Sequence, residues 1–228
     1  MSPTYLVVGA SSGLGAAAAA HLAPRATLFT ASRRPAAQGT WIAADISVDA
    51  GIDACAVALR DAPLDGLLYM GGVWEEGAFT DAYDFHKSPR AETRNVIAVN
   101  LTAPILLAQA LAPNLARATD PRIVLIGSTS GLDQFAPYEV ANTASKFGLR
   151  GAALSLHHAM RPQKVGVTLI NPCNIDTPEV QEDIAQGDFA PQVPIPMADI
   201  LHTLDYVLGC SAATVPQEIN LMQRNPGT

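Results

Sequence analysis

Short apolar runs recur along the chain, and segments with helical character separate them. Within each run the apolar residues are nearly continuous rather than alternating with polar ones, which is typical of strands buried on both faces of a sheet. The segments between the runs are rich in alanine or carry apolar residues at helical spacing. Seven strands are therefore predicted, at TYLVVGA, ATLFTASR, TWIAAD, LDGLLYMGG, RIVLIGS, VGVTLINP and QEINLMQ.

The predicted helices lie between these strands. Pro104 falls inside the longest of them, where its ring and its missing N–H are expected to bend the helix or to disturb a local backbone hydrogen bond. The predicted helices are GLGAAAAAHLA, DAGIDACAVALRDA, residues 90–117, residues 138–160 and residues 197–208.

The alternation of strands and helices predicts an α/β fold with a doubly wound, parallel seven-stranded sheet. We find no repeat, no low-complexity linker and no break in composition, so a single domain over residues 1–228 is expected. The longest irregular segment, residues 173–196, is acidic and rich in proline. Loops of this length often act as lids over binding sites, although an ordinary surface excursion fits the pattern as well.

Composition and charge narrow the possible functions. Hydrophobic residues make up 49% of the chain and charged residues 15%, as a large buried core requires. A formal net charge of −7 repels phosphates, which disfavours a general binder of nucleic acids or anionic membranes. No apolar stretch reaches membrane-spanning length and the chain enters a strand at once, so we expect a cytoplasmic protein. The three cysteines lack metal-ligand spacing, and no metal site is predicted.

A glycine-rich turn with the spacing G-x-x-x-G-x-G joins the first strand to its helix. Glycines allow the backbone to approach a pyrophosphate closely, and the start of the helix presents unpaired N–H groups and the positive end of its dipole. The position of the turn favours dinucleotide binding over a turn that only reverses the chain. The residues concerned are Gly9, Ser11, Ser12, Gly13, Leu14 and Gly15.

This turn, together with the motifs that follow, resembles the short-chain dehydrogenase/reductase family over nearly the whole chain. The resemblance implies a Rossmann-like fold that holds a nicotinamide dinucleotide. A small departure is Val8, where the family usually has threonine. The resemblance also implies a small-molecule substrate and a homodimer or homotetramer, formed through the helices that carry Asn100 and Lys146.

The end of the second strand indicates which dinucleotide is bound. A ribose without a 2′-phosphate requires an acidic residue here, whereas a 2′-phosphate requires a cation. Ser32, Arg33 and Arg34 occupy this position, with no acidic residue among them. The Arg33 guanidinium can form a fork with the phosphate, so NADP(H) is predicted as the cofactor in preference to NAD(H); a solvated basic turn is the plainer alternative.

Three further segments match cofactor-contacting positions of the family. The pair Asp45-Ile46 resembles the one that flanks the adenine ring, and YMGGV stands where the family usually has NNAGV. After the sixth strand, NPCNIDTP resembles the stretch that faces the nicotinamide carboxamide and the phosphates, with Cys173 in place of a glycine. The residues implied by these matches are Asp45, Ile46, Gly71, Gly72, Pro172, Ile175 and Thr177.

The resemblance also implies catalytic roles. Ser128 would polarise the substrate, with Ser130 as second choice, and Lys146 would bind the nicotinamide ribose. Asn100 matches a helix asparagine that the family links to this lysine through a relay water. Four residues before the lysine the family carries a tyrosine whose pKa the lysine lowers, but this chain has Asn142. An amide can donate a hydrogen bond and cannot act as a general acid.

Three outcomes remain open for the proton. Tyr138 supplies a phenol from the start of the helix; or Ser128 and Asn142 polarise the acceptor while water delivers the proton, which suits an iminium or an activated alkene; or the protein binds NADP(H) without redox chemistry. We predict an NADPH-dependent oxidoreductase that reduces a small carbonyl, imine or activated alkene with a non-standard proton donor. The alternative is a cofactor-binding protein with a non-redox reaction or a regulatory role.

Two loops are expected to shape the substrate pocket, the segment VWEEGAFTDAYDFH and residues 173–196. Glu75 and Glu76 in the first loop either discourage anionic substrates or are simply solvated. The candidates for aromatic walls, which otherwise only pack, are Trp74, Phe79, Tyr83 and Phe189.

Overall fold

Seven parallel strands form one sheet in the computed structural model, which describes residues 2–187, 189 and 191–224. The strand order is β3-β2-β1-β4-β5-β6-β7, so the predicted doubly wound parallel sheet is confirmed. Each predicted segment contains its strand. The strands are β1 (Thr4–Val8), β2 (Thr27–Ser32), β3 (Thr40–Ala43), β4 (Gly66–Tyr69), β5 (Arg122–Ile126), β6 (Gly166–Pro172) and β7 (Glu218–Leu221).

The chain winds outward in one direction from β1 to β3 and in the other from β4 to β7. The order therefore reverses between β1 and β4, and their carboxyl ends diverge into a crevice, the usual place for a ligand in an open α/β sheet. Several strands were predicted one to three residues too long at this edge. The residues that follow these strands line the crevice, and the first of them, such as Gly9, Met70 and Gly127, still donate a backbone hydrogen bond to the neighbouring strand.

Helices cover both faces of the sheet. Successive residues of a strand point to opposite faces, so Leu6 joins the core under one helical layer and Val7 the core under the other. Each fully buried leucine contributes about 2 kcal/mol to folding. The helices are α1 (Gly13–Leu22), α2 (Asp49–Leu59), α3 (Arg90–Ile97), α4 (Ala103–Ala110), α5 (Ala112–Leu115), α6 (Val140–Ala159), α7 (Pro178–Gln186) and α8 (Met197–Gly209).

Different helices cover the two faces of the sheet. Residues of α2, α4 and α6 pack in the same core as Leu6, whereas residues of α1 and α8 pack in the same core as Val7. The helix predicted over residues 138–160, which carries Lys146, corresponds to α6 and lies on the same face of the sheet as α2 and α4. No helix among the described residues combines the length and the apolarity needed to cross a bilayer.

The long helix predicted over residues 90–117 is interrupted. A π-helical turn, Ala98–Thr102, separates α3 from α4, and Pro104 lies in the first turn of α4. Proline has no N–H to donate to the preceding turn, so the widened turn is the disturbance that Pro104 was expected to cause. The π turn contains Asn100, which is buried.

The segment predicted to be irregular over residues 173–196 contains a helix, α7. The Thr177 hydroxyl accepts a hydrogen bond from the Val180 N–H and Pro178 takes the first helical position, a start signal that the sequence carried and the prediction missed. Gly187, with φ +83°, ends the helix in the left-handed conformation. Residues 188 and 190 of the segment lie outside the described part of the chain.

Candidate active site

A cleft of about 400 Å³ opens at the carboxyl ends of the strands. Its walls come from the β1–α1 turn, the ends of β2, β4, β5 and β6, and the first turns of α6 and α7. Most of the site residues predicted from the sequence line this cleft. Those that line the cleft are Gly9, Ser11, Ser12, Gly13, Leu14, Arg33, Asp45, Ile46, Gly71, Gly72, Ser128, Asn142, Lys146, Pro172, Ile175 and Thr177.

The glycine-rich turn forms the floor of the cleft. Gly9 has φ +85°, and a Cβ there would lie 2.7 Å from the Cα of Gly71, so no larger residue fits. A Cβ on Gly15 would lie 2.2 Å from the Gly9 carbonyl oxygen. Gly15 therefore allows α1 to pack on the turn and does not itself line the cleft. The Ser12 side chain makes no capping hydrogen bond, which leaves the first N–H groups of α1 open to a ligand.

Two exposed arginines, Arg33 and Arg34, lie at the β2 end of the cleft. The Ser32 hydroxyl holds their turn by donating to the Arg34 carbonyl at 2.7 Å. Hydrogen bonds from Ser47, with a smaller effect of the Arg33 charge, lower the pKa of the Asp45 carboxyl. Arg33 forms no ion pair within the described residues, so its guanidinium is free for a ligand.

Asn100 supports the site from behind the cleft wall. Its Oδ1 accepts from the Val73 N–H at 2.9 Å, and its Nδ2 donates to the Val73 carbonyl at 2.7 Å and to the Ser145 hydroxyl at 3.1 Å. The Ser145 hydroxyl donates in turn to the Asn142 carbonyl at 2.7 Å. Asn100 thus joins the loop after β4 to α6 and positions Asn142 without lining the cleft.

Ser128, Asn142 and Lys146 all line the cleft, Ser128 just after the end of β5 and the other two on α6. Ser128 exchanges hydrogen bonds with Ser130, whose hydroxyl lies at 3.2 Å and whose N–H lies at 3.1 Å from the Ser128 Oγ. Ser130 is buried and does not line the cleft. Asn142 and Lys146 are four residues apart on one face of α6.

Lys146 is only 9% exposed, and its Nζ donates to the Ile126 carbonyl at 3.2 Å. It forms no ion pair among the described residues. Burial disfavours the charged form and lowers the pKa of the ammonium to about 8.

Replacing Lys146 with methionine is expected to stabilise the protein at neutral pH. The folded-state pKa of about 8 lies below the ordinary value of 10.5, so the native state binds fewer protons between these two pH values and its stability rises with pH there. The cost of the buried charge is complete below pH 8, at most about 3 kcal/mol, and disappears towards pH 10.5. Urea unfolding should show Lys146→Met more stable at pH 7, with the gain lost near pH 10.5. An equal gain at both pH values would contradict the assignment.

Tyr138 does not reach the cleft. It is 89% exposed, two residues before α6 begins, and lines a neighbouring cavity of about 600 Å³ together with Tyr83. None of the five tyrosines of the chain, all within the described residues, lines the cleft itself. The buried Tyr69 hydroxyl donates to the Val99 carbonyl instead.

Aromatic side chains do form part of the cleft wall. Phe79 packs edge to face against Trp74 and against Phe189, with ring centroids 6.3 Å apart in both pairs. The fourth predicted wall residue, Tyr83, lines only the neighbouring cavity.

Two buried carboxylates tie the loop after β4 to the start of α6. The Glu75 Oε1 accepts from the N–H groups of Ala141 at 2.8 Å and Asn142 at 3.2 Å, and the Glu139 Oε1 accepts from the Phe79 N–H at 2.7 Å. Glu75 is 2% exposed, so its interpretation as a solvated side chain was wrong. We name this pair of reciprocal contacts, by Glu75 and Glu139, the carboxylate clasp.

Glu75→Ala is expected to destabilise the fold by about 2 kcal/mol. It removes two charge-assisted hydrogen bonds and a negative charge from the N-terminus of a long helix. The neighbouring Glu76 is exposed, so Glu76→Ala provides the matched control and should change stability by less than about 0.5 kcal/mol. Thermal or urea unfolding of both variants measures the difference, and equal effects would exclude the clasp as a stabilising contact.

A family profile described as short chain dehydrogenase matches residues 3–187. The chain belongs to the short-chain dehydrogenase family. Its match covers every strand except β7 and includes the glycine-rich turn, Ser128 and the Asn142–Lys146 face.

Relatives within the short-chain dehydrogenase family span most of the chain. The chain is 27% identical over 227 residues to a short chain dehydrogenase, ausX, of Aspergillus calidoustus, covering 94% of this chain and 85% of that one. It is 26% identical over 240 residues to the 3-oxoacyl-[acyl-carrier-protein] reductase FabG of Aggregatibacter actinomycetemcomitans, covering 96% and 97%.

A solved structure gives the same picture. The crystal structure of a metagenomic short-chain oxidoreductase in complex with NADP is similar to this fold, with a TM-score of 0.77, 26% identity and coverage of 97% of this chain and 98% of that one. As a member of the short-chain dehydrogenase family, the protein is an oxidoreductase.

Proposed function

We propose that this short-chain dehydrogenase transfers hydride from NADPH to a small carbonyl, imine or activated alkene bound in the cleft. The observation that carries the proposal is the layout of the cleft. A glycine floor and an open helix N-terminus face an anion-binding position, free arginines lie at one end, and hydrogen-bond donors lie at the other.

The residues of the cleft fit a phosphorylated dinucleotide. Gly9 and Gly71 leave room for a pyrophosphate against the backbone, the first N–H groups of α1 would bind its oxygens, and Arg33 would bind a 2′-phosphate. When bound, NADPH supplies the hydride. Lys146 would hold the nicotinamide ribose, and Pro172, Ile175 and Thr177 would border the carboxamide. That a similar oxidoreductase was crystallised with NADP supports this cofactor.

At the reacting end, the Ser128 hydroxyl and the Asn142 amide would donate hydrogen bonds to the acceptor atom. Asn142 occupies the position of the family's tyrosine, and its amide cannot release a proton near neutral pH. A positioned general acid typically contributes roughly a hundredfold to ten-thousandfold in rate. The proton donor in this protein is therefore non-standard, and acceptors that need no proton at the transition state are favoured.

The same residue supports a second candidate function. The dinucleotide cleft is kept, but Asn142 stands in place of a phenol. The protein would then bind NADP(H) without oxidising it, and would catalyse a non-redox reaction or act in regulation. Residues 173–196 would serve either function as a lid, since Thr177, Glu179 and Val180 already border the cleft. Association into a homodimer or homotetramer is proposed for both functions, and light scattering that finds a monomer would exclude it.

The test combines binding with turnover. Calorimetry should show tight NADPH binding, and absorbance should show NADPH oxidation with at least one member of a panel that includes tetralone, N-methyl dihydroisoquinolinium and a cyclic enone. Gly9→Val places a side chain against the Gly71 backbone and serves as the control that cannot bind. Binding without oxidation of NADPH by any acceptor would favour the second function, and no binding would overturn both.

A further inference from the structure

The cleft contains the parts of a hydride-transfer site but no phenol, since every tyrosine of the chain lies outside its walls. A carbonyl acceptor still needs a proton as hydride arrives. Ser128 and Asn142 donate hydrogen bonds, but neither releases a proton readily near neutral pH. We propose that Lys146 is itself the proton donor when a carbonyl is reduced, an assignment that rests on the proposed oxidoreductase function.

The position of Lys146 meets the geometric requirement. It lines the same cleft as Ser128 and Asn142, and of its three ammonium hydrogens only one has a partner within the described residues, the Ile126 carbonyl. A Cβ on Gly72 would lie 3.7 Å from the Nζ. The ammonium therefore lies beside Gly72, which also lines the cleft.

The surroundings of Lys146 make its ammonium a better acid than an ordinary lysine. The end of β5, residues 129–131 and the π turn pack near it and carry no ionisable side chain. The loop after β4 carries Glu75, whose carboxylate accepts from the Ala141 and Asn142 N–H groups and forms no ion pair with Lys146 among the described residues. Burial without a carboxylate partner lowers the pKa to about 8, close to the pH at which a general acid works best. The other ionisable residues that line the cleft are Arg33, Arg34, Asp45, Cys173, Glu179 and Asp183.

The step balances. A bound NADPH would supply hydride to the carbonyl carbon, and the π electron pair would move to oxygen. One N–H bond of the Lys146 ammonium breaks, its proton bonds to that oxygen, and the electron pair stays on nitrogen. The carbonyl is reduced by two electrons to an alcohol, and solvent returns a proton to the amine. An iminium acceptor takes the hydride at carbon and becomes a neutral amine, so it needs no such proton.

One test observes the lysine directly. The chain has three lysines, Lys87, Lys146 and Lys164, so NMR of protein labelled with ¹³C at the lysine ε-carbons resolves each titration. We expect one resonance to titrate near pH 8 and to vanish in Lys146→Arg, and we expect NADPH, whose nicotinamide ring is neutral, to shift that midpoint upward through its phosphate charges. A Lys146 resonance that titrates above pH 10 in both states would overturn the assignment.

The second test compares two acceptors of similar shape at saturating NADPH. For tetralone, the wild-type kcat should stay constant below the Lys146 pKa and fall about tenfold per pH unit above it, because the protonated form is required. For N-methyl dihydroisoquinolinium it should be flat. Lys146→Arg keeps the positive charge but is too weak an acid to donate, so tetralone reduction should fall by roughly a hundredfold or more and iminium reduction by less than about tenfold.

The failures of the two proposals are distinguishable. If the wild type reduces both acceptors and Lys146→Arg lowers kcat equally for both, Lys146 only positions the cofactor. That result would overturn the proton-donor assignment and leave the oxidoreductase proposal intact. No oxidation of NADPH by either acceptor, despite tight binding, would overturn the oxidoreductase proposal and the proton-donor assignment together.

Discussion

Replacing Asn142 with tyrosine is expected to raise kcat for tetralone by about a hundredfold, at the lower end of what a general acid contributes. The phenol would project from the same face of α6 as Lys146, one turn away, where the ammonium charge lowers a phenol pKa. The gain falls short of the full range because Lys146 already delivers part of the proton transfer. Steady-state kinetics at saturating NADPH measures it directly.

Asn142→Phe is the matched control, since it adds the same ring without the hydroxyl. It should leave tetralone reduction at or below the wild-type rate, and Asn142→Tyr should give no comparable gain with the iminium. A similar gain from phenylalanine and tyrosine would mean that filling the pocket, and not proton donation, accounts for the effect.

Replacing Arg33 with alanine is expected to weaken NADPH binding by roughly tenfold to a hundredfold, corresponding to the loss of charge-assisted hydrogen bonds worth about 1.5–3 kcal/mol. NADH lacks the 2′-phosphate, so its affinity should change little. Arg33→Asp should go further and reverse the preference, because a carboxylate repels the phosphate and accepts from ribose hydroxyls. Calorimetry of the wild type and both variants with each coenzyme gives the six dissociation constants needed.

Arg90→Ala provides the charge-matched control, because Arg90 is exposed at the start of α3 and does not line the cleft. Its effect on both coenzymes should be small and equal. If Arg33→Ala weakened NADH as much as NADPH, the guanidinium would contribute general attraction for the pyrophosphate, and selectivity for the phosphorylated coenzyme would have to come from another group.

Local patterns were sufficient to predict most of the fold. Strands buried on both faces consist of continuous apolar runs, which are easily recognised in the sequence. The glycine spacing after β1 predicted a close approach of the backbone, and the contact between Gly9 and Gly71 confirms it. Errors came where local signals compete. Pro104 split a long apolar helix through a π turn, and a Thr-Pro helix start was overlooked inside an acidic, proline-rich segment.

The residues of the site also differ in whether the sequence alone could predict their positions. Residues placed by their offset from a strand end, such as Arg33 and Ser128, fell in the cleft as expected. The contacts of Glu75 could not be predicted, because its partners lie 66 and 67 residues away and no short-range spacing encodes the pairing. Tyr138 shows the converse limit: it lies before the start of α6, as a reach to the lysine would require, but its side chain is 89% exposed and does not line the cleft.

The carboxylate clasp has a consequence for how this enzyme can change. Because Glu75 and Glu139 attach the pocket wall and the helix to each other, a loop graft or a length change between them moves the amide of Asn142 as well as the aromatic surface. Mutations in this loop would then change acceptor preference and turnover together during evolution. To change only one of these properties by engineering, the hydrogen-bonded contacts of both Glu75 and Glu139 would have to keep their present positions.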